Sequence, residues 1–249
     1  MKVKYALKLF SILIIFTPAL SALSSAAIVA RMEKAAAVPG CRMLYRQVIK
    51  RASGSRSVFK IESFTMNGNE KQLLRYLHPA KVKGTAFLIL NSGDDIWAYF
   101  SATGRVRRIA RHARRQKMMG SDFTYEDMSM TAFKEKYKAE LLGEDKVFAK
   151  ACYKLKLIPK ERSSYAKLIV WTDKKLFVPL LVNYYAAGEK TAYKQFMQGK
   201  IKVINSYPVA RMVIMKNLED NSQTIMQVLQ VEMKPNINED MFVPSYLKR

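Results

Sequence analysis

Phe177 to Tyr185 reads FVPLLVNYY, and Thr85 to Leu90 reads TAFLIL. Apolar runs this short, rich in aromatic and branched side chains and bounded by turn residues, are strands rather than helices. A strand with one wet face in an antiparallel sheet alternates apolar with polar residues. Neither run alternates, so both faces of these strands must be covered. Helices, a second sheet or a bound apolar ligand could do this, and a fully packed sandwich is the plain alternative.

Outward from these two runs the same texture repeats. Strands are expected near 43–50, 57–66, 70–77, 84–91, 95–100 and 105–109, then near 137–144, 147–158, 166–172, 177–186, 191–201, 210–217 and 222–233. Asn67-Gly68-Asn69, Asn91-Ser92-Gly93-Asp94 and Ala187-Gly188-Glu189 are hairpin turn signals, so consecutive strands form an antiparallel meander. Ala26 to Ala37 is an Ala-rich helical pattern with Ile28, Met32 and Ala35 on one side, ended by Pro39-Gly40. A barrel within a membrane does not fit, because Lys154 and Lys156 share one strand face, and a lysine on the lipid face costs about 2–4 kcal/mol at the midplane.

The interruption at 110–136 breaks the strand pattern. Arg105, Arg107, Arg108, Arg111, Arg114, Arg115 and Lys117 form a basic run. Met118, Met119, Gly120, Ser121, Asp122, Phe123, Thr124, Tyr125, Glu126 and Asp127 follow at once. Thr124 and Asp127 have capping-box spacing, predicting a short helix into 128–133. Long loops of this apolar and aromatic content are functional more often than disordered.

Residues 1–22 read as a secretory signal peptide. Lys2, Lys4 and Lys8 precede the apolar run Leu9–Phe16, Pro18 breaks it, and small residues follow, with cleavage expected after 22, 24 or 26. Val38-Pro39-Gly40-Cys41 loosely resembles a lipobox but lies far past the apolar run, behind Arg31, Glu33 and Lys34. Residues 23–249 are then expected to form a single domain. The leader carries three lysines and no acid, so the formal charge falls from +23 to +20. A basic surface can meet nucleic acid, anionic lipid headgroups or an acidic protein; export argues against nucleic acid. Cys41 and Cys152 are the only cysteines, and form either one disulfide or two buried thiols.

Catalytic signatures are missing. His78 and His112 have no partner at metal-ligand spacing, and there is no nucleophile elbow, P-loop or dinucleotide fingerprint. Asp122, Glu126 and Asp127 could be imagined as hydrolytic acids, but capping and pairing with the basic run account for them better. No enzyme, metal or cofactor is expected.

One ordered series of motifs is specific. Lys83-Gly84-Thr85-Ala86-Phe87-Leu88, Ile96-Trp97-Ala98-Tyr99, Arg107-Arg108-Ile109 and Met119 to Asp127 are followed by Tyr137…Leu141-Leu142-Gly143, Val170-Trp171, Pro179-Leu180 and Phe242-Val243. This series resembles the outer membrane lipoprotein-sorting protein family of LolA-like carriers. The resemblance implies a mainly β (α+β) fold. It would be an incomplete, strongly curved antiparallel β-barrel, covered by an N-terminal helix and a short helical loop around an apolar cavity. It also implies a periplasmic carrier of lipid or lipoprotein cargo, linked to a membrane transporter of the RND class. On that expectation, Phe87, Ile89, Trp97, Tyr99, Leu180, Val182 and Tyr184 are candidate lining residues. Met118–Phe123 and Tyr125 form a lid or docking loop, and the Arg105–Lys117 run contacts an anionic membrane surface. The alternative is a non-catalytic envelope protein with a filled core that docks a transporter or anionic surface through its basic face. The chain departs from the family in its high charge and its short Ser92–Trp97 connection.

Overall fold

The structure, a computed structural model, describes residues 23–129 and 132–249; the signal peptide expected at 1–22 lies outside them. Helix α1 (Ser25–Ala36) starts where the Ser24 side chain accepts from the Ala27 N–H, and it buries Ile28, Val29 and Met32. Thirteen strands follow: β1 (Gly40–Lys50), β2 (Arg56–Met66), β3 (Lys71–His78), β4 (Ala86–Leu90), β5 (Asp95–Phe100), β6 (Arg105–Arg108), β7 (Tyr137–Val147), β8 (Lys150–Pro159), β9 (Lys167–Asp173), β10 (Pro179–Tyr185), β11 (Lys194–Ile204), β12 (Tyr207–Asn217) and β13 (Ser222–Met233). A one-turn helix α2 (Phe133–Lys136) leads into β7. No helix among the described residues is long and apolar enough to cross a membrane.

All thirteen strands join one antiparallel sheet in the order β6-β5-β4-β3-β2-β1-β13-β12-β11-β10-β9-β8-β7. The chain therefore enters at the centre, meanders to one edge, crosses to the other, and meanders back until β13 pairs with β1. The sheet is not closed: β6 and β7 remain edges. Both are unsuited to pairing with another chain. Strand β6 has only four residues, three of them arginine, and β7 is charged along its length with a register shift at Leu141/Gly143.

The sheet curves around α1. That helix touches both β7 and β12, which are five strand steps apart, or about 24 Å in a flat sheet. A helix is only about 10 Å across, so the face that holds it is concave. Here Ile28, Val29 and Met32 pack against Leu155, Leu157, Leu168, Val170, Val182 and Met215. The other half of the same face gathers Ile49, Ile61, Tyr76, Phe87, Ile89 and Ile96 around Met118 and Tyr125. Met128 and Met226 touch both groups and join them.

The expectation that both faces are covered holds for TAFLIL, whereas FVPLLVNYY is covered on the face toward α1 and, among the described residues, has only side chains of neighbouring strands beside it on the other. In β4, Phe87 and Ile89 lie under the 110–136 segment, while Ala86 and Leu88 lie on the opposite face under Phe242 and Leu247. In β10, Val182 and Tyr184 face α1, and Leu180 sits on the opposite face with Ile169 and Trp171.

Candidate functional site: the inner face and its closing segment

The seven candidate lining residues do not share one surface. Phe87, Ile89, Val182 and Tyr184 face inward. Trp97 and Tyr99 face outward, against the C-terminal segment. The register explains this correction: Phe87 pairs with Ala98 and Ile89 with Ile96, so the inward residues of β5 are Ile96 and Ala98. Leu180 is the second correction. Regular alternation would put it beside Val182, but a register shift between Pro179 and Leu181 turns it outward.

Residues 109–129 and 132–136 lie between β6 and β7, the two sheet edges, and side chains of 113–128 pack on the inner face. Met118 and Tyr125 enter one half of the inner face and Phe123 enters the other. Met119 and Gly120, both with positive φ, make the tight bend that aims Met118 inward. Met118, Ser121, Asp122, Phe123 and Tyr125 are buried, and Met119 is half-buried; only Gly120 of the seven is exposed. This segment is a plug rather than an exposed docking surface.

Polar bonds hold the plug at three places. Asp122 accepts from the Ser222 and Thr224 hydroxyls of β13, and Thr224 Oγ1 accepts in turn from the Asp122 N–H at 2.8 Å. Glu126 accepts from Ser163 Oγ and the Ser164 N–H. The third anchor is centred on Asp127. The capping box forms as expected, with Asp127 Oδ2 accepting from the Thr124 N–H at 2.6 Å and Thr124 Oγ1 accepting from the Asp127 N–H at 3.3 Å. It opens only a single 3₁₀ turn, Glu126–Ser129.

Asp127 also forms an ion pair with Lys194 of β11, and the two side chains are 2 % and 3 % exposed. Lys194 donates to the Tyr165 hydroxyl at 3.0 Å, and that hydroxyl donates to Asp127 Oδ1 at 2.6 Å. Burial, then the Asp127 charge, holds the Tyr165 hydroxyl well above its usual range and so keeps it protonated as a donor. The Lys194 ammonium also lies over the rings of Tyr165 and Tyr184. Sequence reasoning found Asp127 through the capping box but missed Lys194 and Tyr165. Lys194 is a single lysine in Tyr193-Lys194-Gln195-Phe196, where its partner lies 67 residues away.

The basic run is partly neutralised. Arg108 pairs with Asp95, Arg111 with Glu161 and Lys117 with Asp220, while half-buried Arg114 donates to the Asp94 carbonyl. Arg107 stacks over Phe100, and exposed Arg105 and Arg115 extend the positive surface. Cys41 and Cys152 are separate buried thiols, so the optional bridge is not formed. They sit on β1 and β8, six steps apart in the sheet. Burial, then Glu232, raises the Cys41 thiol to about 11. No group of three or more His, Cys, Asp or Glu among the described residues is arranged to hold a metal ion.

A family model with the description "Uncharacterized protein" matches residues 68–249. None of the curated proteins matches the chain. Among solved structures, the chain is similar to an outer membrane lipoprotein-sorting protein domain from Vibrio parahaemolyticus. The two are 26 % identical with a TM-score of 0.84, over 90 % of this chain and 98 % of that one. A DUF1329 family protein from Desulfovibrio piger is 21 % identical with a TM-score of 0.83, over 90 % and 97 % of the two chains. A LolA superfamily protein from Nitrosomonas europaea is 16 % identical with a TM-score of 0.74, over 90 % of this chain and all of that one. Each shares the incomplete, curved β-barrel.

Proposed function

Since this chain belongs to the LolA-like family of outer membrane lipoprotein-sorting proteins, we propose that it is a periplasmic, non-enzymatic carrier. It takes the acyl chains of a lipid or lipoprotein onto the inner face of its sheet and moves them between envelope membranes or to a transporter. One observation carries this reading. The apolar inner face is closed by α1 and a crossing segment, neither of which contributes to the thirteen-stranded ladder. Displacing the plug therefore opens an apolar surface without breaking a strand pairing. Each methylene buried there gains about 0.8 kcal/mol, so a chain of some 16 carbons leaves a membrane only for a comparably apolar site. Phe87, Ile89, Val182 and Tyr184 are the lining, residues 118–128 the lid, and the Arg105–Lys117 run the contact with anionic headgroups. Removal of residues 1–22 leaves 23–249 as one carrier domain.

Native mass spectrometry of gently purified protein, before and after mixing with a triacylated lipopeptide, tests the proposal. Acyl-bearing adducts are expected; no co-purified lipid and none acquired would defeat it. A second reading draws on the depth to which Met118, Phe123, Tyr125 and α1 fill the inner face. It is a structural envelope protein that docks a transporter or anionic surface through its basic side. Hydrogen exchange separates the two, because lipopeptide should deprotect amides 118–128 in a carrier and leave them unchanged in a structural protein.

A further inference from the structure

The face of the sheet turned away from α1 carries two adjoining depressions. The first, about 460 Å³, has an apolar lining of Leu180, Met197, Ile201, Met212 and Ile214, with Lys150 and Lys200 also on it. Strand alternation places the β11 and β12 residues there, and the register shift in β10 adds Leu180. Phe196, Val213 and Met215 turn inward, so Met197, Met212 and Ile214 turn outward. Gly199, opposite Met212, deepens the floor: a Cβ there would meet nothing within 4 Å, and its backbone is outside the left-handed region. Glycine weakens a strand, and inside one it often marks the close approach of a ligand. Phe148 stands at the edge, 61 % exposed. It and Ala149 both have positive φ, in a two-residue hairpin turn that normally takes Asn-Gly. An aromatic ring is thus held in strained backbone beside an apolar hollow.

The second depression, also about 460 Å³, lies between the β1–β2 and β12–β13 turns and is polar, with Lys50, Arg51 and Arg56 in its lining. Lys216 and Gln223 line both depressions, and no carboxylate lines either. We infer that the two form one head-and-tail site for a single-chain anionic amphiphile. The acyl chain lies over Gly199, and a phosphate-type head sits among Lys216, Lys50, Arg51 and Arg56. Each half has the volume of a small-molecule pocket; both carry cations, but the surface of the first is mostly apolar and that of the second mostly polar, as the tail and head of such a ligand are. The site is on the opposite face from the proposed carrier lining and does not require the plug to move.

The test uses palmitoyl lysophosphatidylglycerol with a diazirine in its chain, photolysed with the purified protein and mapped by peptide. Labels are expected within 197–201 and 212–214. Gly199→Phe, which fills open space, should weaken this labelling about a hundredfold, equivalent to three or four lost methylene contacts. Met212→Trp should act in the same direction. Lys216→Gln should weaken it about fivefold, as losing one cation near an anionic head would. Labels confined to inner-face residues such as Phe123 or Val182, or labelling unchanged in both tail-site variants, would overturn the inference and leave the carrier reading standing. Equal labelling by zwitterionic lysophosphatidylcholine would overturn the anionic head. Complete displacement by inorganic phosphate would reveal a free-anion site and would overturn the amphiphile.

Discussion

Replacing Lys194 by methionine keeps most of the side-chain volume but removes the charge that faces Asp127. The carboxylate then stays buried, with only the Tyr165 hydroxyl and the Thr124 N–H and hydroxyl donating to it. Removing one partner of a buried ion pair costs about 3–5 kcal/mol. The three remaining donors put the expected loss at the lower end, about 3 kcal/mol. Lys194→Met/Asp127→Leu has no stranded charge and loses chiefly the capping bonds, worth about 1 kcal/mol. The double variant should therefore be more stable than the single one by about 2 kcal/mol. Urea unfolding with linear extrapolation measures both, and hydrogen exchange shows whether amides 118–128 lose protection first. A loss below about 1 kcal/mol in Lys194→Met, or a double variant no better than the single, would refute the reasoning that this pair latches the plug.

Asp173 titrates below the usual carboxylate range: burial alone would raise it, but the Leu176 and Lys175 N–H groups and Lys150 outweigh burial. A depressed folded value adds stability above the unfolded pKa of about 3.9, and that stability disappears as pH falls through the folded value. Asp173→Asn should therefore lose less stability than the parent protein between about pH 4 and pH 2, read from acid-limb urea titrations; equal acid limbs would count against this. Cys41 and Cys152 are buried with raised thiol values, so native protein at pH 8 should react slowly with a thiol reagent and denatured protein rapidly; rapid native labelling would contradict their burial. Leu247, fully buried against the outer face of β3–β5, should cost about 2–5 kcal/mol when changed to alanine, and a thermal or urea shift equivalent to less than 1 kcal/mol would show that the C-terminal segment is not part of the core.

Strand positions were legible in the sequence because aromatic and branched runs alternate with Gly, Asn and Pro along the whole chain. The three quoted turn signals fall between β2 and β3, β4 and β5, and β10 and β11. Faces were less legible. The eleven-residue pairing of β1 with β2 is regular, yet β10 contains a shift that the sequence Pro179-Leu180-Leu181 does not announce, since either leucine suits either side. In β5, Trp97 and Tyr99 were expected in the lining, but both faces of Ile96-Trp97-Ala98-Tyr99 are apolar and the sequence does not choose between them. The C-terminal segment covers Trp97 and Tyr99, a contact made across more than 100 residues. The plug's anchors divide in the same way. Thr124 and Asp127 are neighbours and could be paired by spacing, whereas Thr224 and Lys194 meet the plug only through the curvature of the sheet.

The order of the strands also bears on how the chain reaches this state. Each neighbour in the sheet is joined by a sequence-adjacent connection except one, the β1–β13 pair, which brings together segments such as Cys41 and Met233. Two meanders, β1–β6 and β7–β13, can thus assemble from local hairpins on the microsecond scale. Zipping them together requires closing nearly the whole chain into a loop, the kind of long-range pairing that slows folding most. A chain emerging from its N-terminus carries an unpaired edge along the eleven residues of β1 until its last strand arrives. That interval, rather than the finished sheet with its charged β6 and β7 borders, is when the molecule is most exposed to pairing with a second copy.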